Sequence, residues 1–126
     1  MLNQIPDDQL DTIKLWYLVQ HSFSSFRKLE KHFGSISNAV LPENLKRWTE
    51  LKIHKHHLQR AEEFATPIGQ SQFQNCLEKI KQHSDFIVLD TEQHYPQQLL
   101  PYSNHPPILF GKGSFQNLSQ PQIAIV

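Results

Sequence analysis

Arg27, Lys28 and Lys31 are the first residues along this chain whose types and spacing could do chemistry. They occupy neighbouring turns on the polar side of a helical repeat, opposite the apolar series Phe26, Leu29 and Phe33. Cationic side chains grouped in this way can contact phosphates together and release the counterions condensed on a nucleic acid. They open a longer basic window. Between residues 27 and 60 stand Arg27, Lys28, Lys31, Lys46, Arg47, Lys52, Lys55 and Arg60, against only Glu30, Glu43 and Glu50, with His32, His54, His56 and His57 among them. The same charges also read as an ordinary solvated helix surface, and the sequence by itself leaves both readings open.

Other reactive residue types lead to plainer readings. His54, His56 and His57 suggest a metal, but zinc wants four ligands and helical pairs at i and i+4, and no second cluster accompanies them, so no metal site is expected. Trp16 and Trp48 could stack on bases, yet both lie among apolar residues at helical spacing, which predicts core positions. Cys76, the single cysteine, falls in an apolar helical repeat and reads as a small buried hydrophobe. Paired acids and bases, a nucleophile elbow and a phosphate-binding glycine loop are all missing from the sequence. Neither an enzymatic activity nor a cofactor is expected.

Positioning those residues requires a core, and the composition can supply one. The 126 residues fit one ordinary domain, or one small domain and part of a second. An apolar fraction of 38% with 10% aromatics suffices for packing, while 19% charged residues at zero net charge argue against wholesale disorder. No apolar run approaches the ~20 residues that span a bilayer, and the opening MLNQIPDDQLD lacks the basic and apolar regions of a signal peptide. A cytoplasmic protein without membrane contact is the expectation.

Helical periodicity dominates the first two thirds. Residues 7 to 20 predict a helix, with Pro6 near its first turn, Asp7 and Asp8 at its positive end, and Leu10, Ile13 and Tyr17 recurring on one face widened by Leu15, Trp16, Leu18 and Val19. Ser22 or Ser24 can cap a second helix that Gly34 ends. Ser37 can start a short turn, Pro42 opens a segment with Leu45, Trp48 and Leu51, and residues 54 to 65 continue with Leu58, Ala61 and Ala65. Pro67 and Gly69 are expected to break the pattern before an amphipathic helix marked by Phe73, Cys76, Leu77 and Ile80. The corner His21-Ser22-Phe23-Ser24-Ser25 sits where a helix-hairpin-helix motif would turn a glycine-containing loop against DNA. It holds no glycine, and other residues tolerate positive φ poorly, which favours a structural corner.

From Asp85 the character changes. Phe86-Ile87-Val88-Leu89 suits a strand buried on both faces. Pro96 to Leu100 can make one helical turn, Pro106 and Pro107 enforce an extended approach, and Ile108-Leu109-Phe110 reads as a second strand ended by Gly111 and Gly113, after which Ser114 can cap a short turn. Ile123-Ala124-Ile125-Val126 reads as a further buried strand, and its apolar run up to the last residue suggests a sequence cut within a domain.

In order, Tyr95-Pro96-x-x-Leu99, Pro106-Pro107-x-Leu109-Phe110-x-Lys112-Gly113 and Ile123-Ala124-Ile125-Val126 resemble the DNA-processing protein A (DprA/Smf) family. The preceding helices, with Phe33-Gly34-Ser35 after one of them, look like that family's sterile-alpha-motif-like N-terminal domain. The resemblance implies a mainly α chain: residues 1–84 a helical sterile-alpha-motif-like or helix-hairpin-helix-like domain, and residues 85–126 the beginning of a Rossmann-like α/β DNA-binding domain. It implies structural roles for Tyr95, Pro96, Leu99, Pro106, Pro107, Phe110 and Gly113. It further implies single-stranded DNA as a ligand, RecA recombinase as the partner that receives it, and a role in natural transformation and recombination. In similar proteins the turn after the last strand carries the DNA pocket, and no such turn stands in this sequence. A helical protein-interaction or homodimerisation module, with no direct DNA contact, is the competing expectation.

Overall fold

The computed structural model describes residues 2–20, 22–102 and 105–113. They form a mainly helical fold with a two-stranded antiparallel sheet. Helix α1 (Asp7–Leu18) runs through the middle, touching α2 (Phe23–Phe33), α3 (Ile36–Ala39), α5 (Lys55–Phe64) and the first strand. Its apolar residues therefore cannot keep to one stripe. Ile13, Leu15, Leu18 and the following Val19 have no exposed surface at all. Burying each such side chain contributes about 1.5–3 kcal/mol relative to exposure.

Local chemistry sets the helix ends. After α1, Gln20 takes φ 52°, so a residue other than glycine makes the left-handed step of the corner. Ser22 then caps α2, its Oγ accepting from Ser25 N at 3.4 Å, and Gly34 closes that helix at φ 86°. Helix α3 is capped by Ser35 rather than started by Ser37, whose hydroxyl instead donates to Asp11 at 2.9 Å. Pro42 opens α4 (Pro42–Leu45), which tightens into a 3-10 turn, Lys46–Glu50. There Trp48 is fully buried, with Nε1 donating to the Ala39 carbonyl at 2.9 Å, so it is a core residue.

One expectation is corrected. The break falls at Ala65 and Thr66, and Pro67 and Gly69, rather than lying in it, form the first turn of α6 (Pro67–His83). Proline at the first helical position loses no hydrogen bond, and Thr66 accepts from Gly69 N at 3.0 Å as the cap. Gly69 is there because α5 ends against it. A Cβ at this position would stand 2.0 Å from the Glu63 carbonyl oxygen.

Strands β1 (Phe86–Leu89) and β2 (Ile108–Gly111) pair with Ile87 opposite Phe110, Val88 opposite Leu109 and Leu89 opposite Ile108. Alternation splits the pair into two apolar faces. Ile87, Leu89, Ile108 and Phe110 join the helical core, where the Trp16 ring meets Phe110 edge-on at 5.0 Å. Phe86, Val88 and Leu109 face the other way, into a small cluster with Tyr95 and Leu99 supplied by the connecting segment 90–107. The remaining edge of β1 is covered by side chains. Gln9, only 7% exposed, donates to the Ile87 carbonyl at 3.0 Å, and Glu92 accepts from Leu89 N at 2.7 Å.

Replacing Gly69 by Ala is expected to destabilise the fold by about 1–3 kcal/mol, since backbone atoms of α5 must move to admit the methyl group. Urea unfolding measures this, and an unchanged midpoint would contradict the tight α5–α6 corner.

Candidate nucleic-acid interface

The three cations expected to act together are separated by the fold. Arg27 turns toward the connecting segment: Nη2 donates to Asp90 Oδ2 and Nη1 to Glu30 Oε1 at 3.1 Å. His105 completes the cluster, its Nε2 lying 3.0 Å from the same Asp90 oxygen and 3.2 Å from Arg27 Nη2. The Asp90 side chain is 14% exposed, and its carboxylate raises the Arg27 pKa against the opposing pull of burial, which is the largest single influence on that group. The pairing joins α2 to the cover of the strand pair.

The same division runs through the rest of the basic window. Arg60 donates to the Tyr17 carbonyl at 3.0 Å with its guanidinium over the Tyr17 ring, tying α5 to α1. Arg47 is held by Glu50 at 2.9 Å and lies over Phe33; Glu50, which also meets His32, has its carboxyl held below the ordinary range by the Arg47 hydrogen bond. The lysines are different. Lys28, Lys31, Lys46, Lys52 and Lys55 are all exposed, and among the described residues none forms an ion pair. Lys28 and Lys31 line an open depression with His32 and Leu51; Lys46 and Lys55 line another with Leu45, Thr49, Leu58, Gln59 and the carboxylate of Glu62. Both depressions border the stretch from Lys46 to Leu51, so Lys28, Lys31, Lys46 and Lys55 fall along a band from α2 across that stretch to α5, with Glu50 and Glu62 among them.

The residues that carried the family resemblance come together around the strands. Tyr95 is 1% exposed, its hydroxyl donating to the Pro106 carbonyl at 2.6 Å; burial, with Asp90 nearby, pushes the phenol up to about 12. Pro96 and Pro107 are buried, and Leu99 packs half-buried beside Tyr95. Phe110 lies on the opposite face against Trp16. Gly113 takes φ 94° and donates its N–H to Asp85 Oδ2 at 2.8 Å, which lowers the Asp85 pKa. The expected cap at Ser114 and the strand Ile123 to Val126 lie outside the described residues.

The histidines serve α5. His54 caps the helix, Nδ1 accepting from His56 N at 3.2 Å, and its ring stacks on His56 with centroids 4.4 Å apart. His57 is buried, with Nδ1 lacking a hydrogen-bond partner, and desolvation, reinforced by His54, Arg60 and His56, lowers its pKa. Among the described residues no cluster of three His, Cys, Asp or Glu side chains could hold a metal ion. Cys76 is half-buried, and burial pushes its thiol up. No helix among the described residues is long and apolar enough to cross a membrane. The chain matches no family model, no curated protein and no solved structure.

Asp90, Gln9, Glu92 and His105 were not singled out by sequence reasoning. Apart from Leu89 beside Glu92 and Tyr102 beside His105, their partners lie far along the chain, and no local periodicity marks them.

Two consequences are measurable. Asp90→Ala leaves Arg27 without its main partner and is expected to cost about 1–3 kcal/mol in urea unfolding. The double variant with Arg27→Ala should lose less than the sum of the single losses; strict additivity would show that the pair does not couple the elements. His57 stays neutral in the fold at pH values where an unfolded histidine, near pKa ~6.5, is already protonated. Its contribution is therefore complete above about pH 6.5 and is lost progressively as the pH falls from there toward the lowered folded value. Melting temperature should drop between pH 7.5 and 5.5, and His57→Leu should flatten that slope; parallel slopes would exclude His57 as the source.

Proposed function

We propose that this chain is the N-terminal part of a DNA-processing protein of the DprA/Smf kind: a sterile-alpha-motif-like helical module ahead of a Rossmann-like domain, acting by binding and without catalysis. The whole protein would bind single-stranded DNA and help to load RecA recombinase during natural transformation and recombination. The observation that carries this reading is the partition of the cations. Arginines 27, 47 and 60 are engaged within the fold, whereas Lys28, Lys31, Lys46, Lys52 and Lys55 project as free point charges along one band. Solvated ammonium groups suit the phosphate backbone, whose recognition needs charge and little geometric precision. Further support comes from Tyr95, Pro96, Leu99, Pro106 and Pro107, which build one structural unit rather than standing as scattered matches.

Binding of a fluorescent single-stranded oligonucleotide, followed by anisotropy, tests the reading. Affinity should fall steeply between about 20 and 200 mM salt. Combined Lys28→Ala and Lys31→Ala substitution should weaken binding about tenfold. It should also reduce the slope of log affinity against log salt by roughly 1.4, because each single-strand phosphate that a lysine neutralises contributes ~0.7. A protein-interaction or homodimerisation module predicts no binding even at the lowest salt, and that result would replace the DNA reading.

A further inference from the structure

The lysine band explains attraction to phosphate but offers nothing that separates a single strand from a duplex. Ring surface that could do so is scarce. Trp48 is enclosed, Trp16 packs on Phe110, and Phe33 lies beneath Arg47. Among the phenylalanines, tyrosines and tryptophans of the described residues, only Tyr102 is exposed, at 63%.

The Tyr102 backbone is hydrogen-bonded on both sides. Its N–H donates to the Leu99 carbonyl at 3.2 Å, and its own carbonyl accepts from His105 N at 3.2 Å and faces His105 Nδ1 at 2.8 Å. His105 is in turn locked to Asp90 and Arg27 on α2. Lys31 follows Arg27 by four residues, one turn along the same stripe of α2, and Lys28 lies beside it in the open depression. Hydrogen bonds thus run from the Tyr102 backbone through His105 to Arg27, and helical spacing places Lys31 one turn further along α2. The intervening carboxylate, Asp90, meets both Arg27 and His105, although Arg27 is shared with Glu30.

We infer that Tyr102 is a stacking platform for an unpaired nucleobase, placed beside the Lys28–Lys31 end of the phosphate-binding band. The inference rests on the DNA-binding reading and deepens it by assigning the single-strand preference to one ring. Stacking a base on a side chain whose backbone is hydrogen-bonded within the fold costs less ordering than stacking on a free segment. In a duplex the base faces are covered by their neighbours, so the lysines can engage either form while Tyr102 engages only the unpaired one.

The test compares a fluorescein-labelled oligo-dT with a duplex of equal length, both at low salt, using the full chain and its Tyr102→Ala and Tyr102→Phe variants. Tyr102→Ala should weaken single-strand binding by roughly five- to a hundredfold and leave duplex binding unchanged, and Tyr102→Phe, which keeps the ring, should bind as the parent does. Unaltered single-strand affinity in Tyr102→Ala, alongside a loss in the Lys28→Ala/Lys31→Ala variant, would overturn the stacking role and leave the DNA reading standing. Equal losses on both ligands would overturn it as well. Failure of the parent chain to bind either ligand would overturn both.

Discussion

Two four-residue strands with apolar side chains on both faces cannot stand alone in water, and the arrangement of the whole fold follows from the need to cover them twice. One cover is the helical core, reached through α1, whose Trp16 meets Phe110 and whose Gln9 satisfies the open edge of β1. The other is the connecting segment between the strands, folded back so that Tyr95 and Leu99 seal Phe86, Val88 and Leu109. Arg27 and Asp90 fasten the second cover to α2. Gly111 contributes by having no side chain: the Phe86 ring occupies the space a Cβ there would need, 2.1 Å from its Cζ.

The division of labour between arginine and lysine follows from their chemistry. A guanidinium presents several donors in a planar fork and is weakly hydrated, so it can bridge Asp90 and Glu30, or reach a carbonyl while lying over a ring, at a modest desolvation cost. An ammonium group is compact and strongly hydrated and favours the surface. A basic window in a sequence counts both kinds alike, which is why Arg27, Lys28 and Lys31 looked like one group before the fold assigned the first to structure.

Much of the architecture was legible in the residues. Ser22 and Gly34 bound α2, Trp48 reads as core from its apolar neighbours, and Phe86-Ile87-Val88-Leu89 announces a strand with no wet face. Pro67 and Gly69 misled because the same two residues that end one helix can begin the next; which occurs depends on the Thr66 cap and on the approach of α5, a tertiary fact. The polar anchors were illegible for a related reason. Gln9 and Asp90 are ordinary surface types by composition, and only the arrival of Ile87 and Arg27 from distant parts of the chain gives them buried partners. Of the candidate interface, the positive charge was readable. Which cations remain free for a ligand was not, and neither was Tyr102, the one exposed ring among the described phenylalanines, tyrosines and tryptophans.

The double covering of the strand pair also bears on how the molecule comes apart. The segment that seals one face is itself the link between the strands, and its anchor sits on a helix of the core, so the hairpin cannot open on one side without disturbing the other. Pairing, sealing and docking on α1 are thereby joined in one cooperative unit. Amide protons in β1 and β2 will exchange with solvent through the same opening that releases α1 and α2, so this small sheet reports on the integrity of the helical body rather than fraying independently.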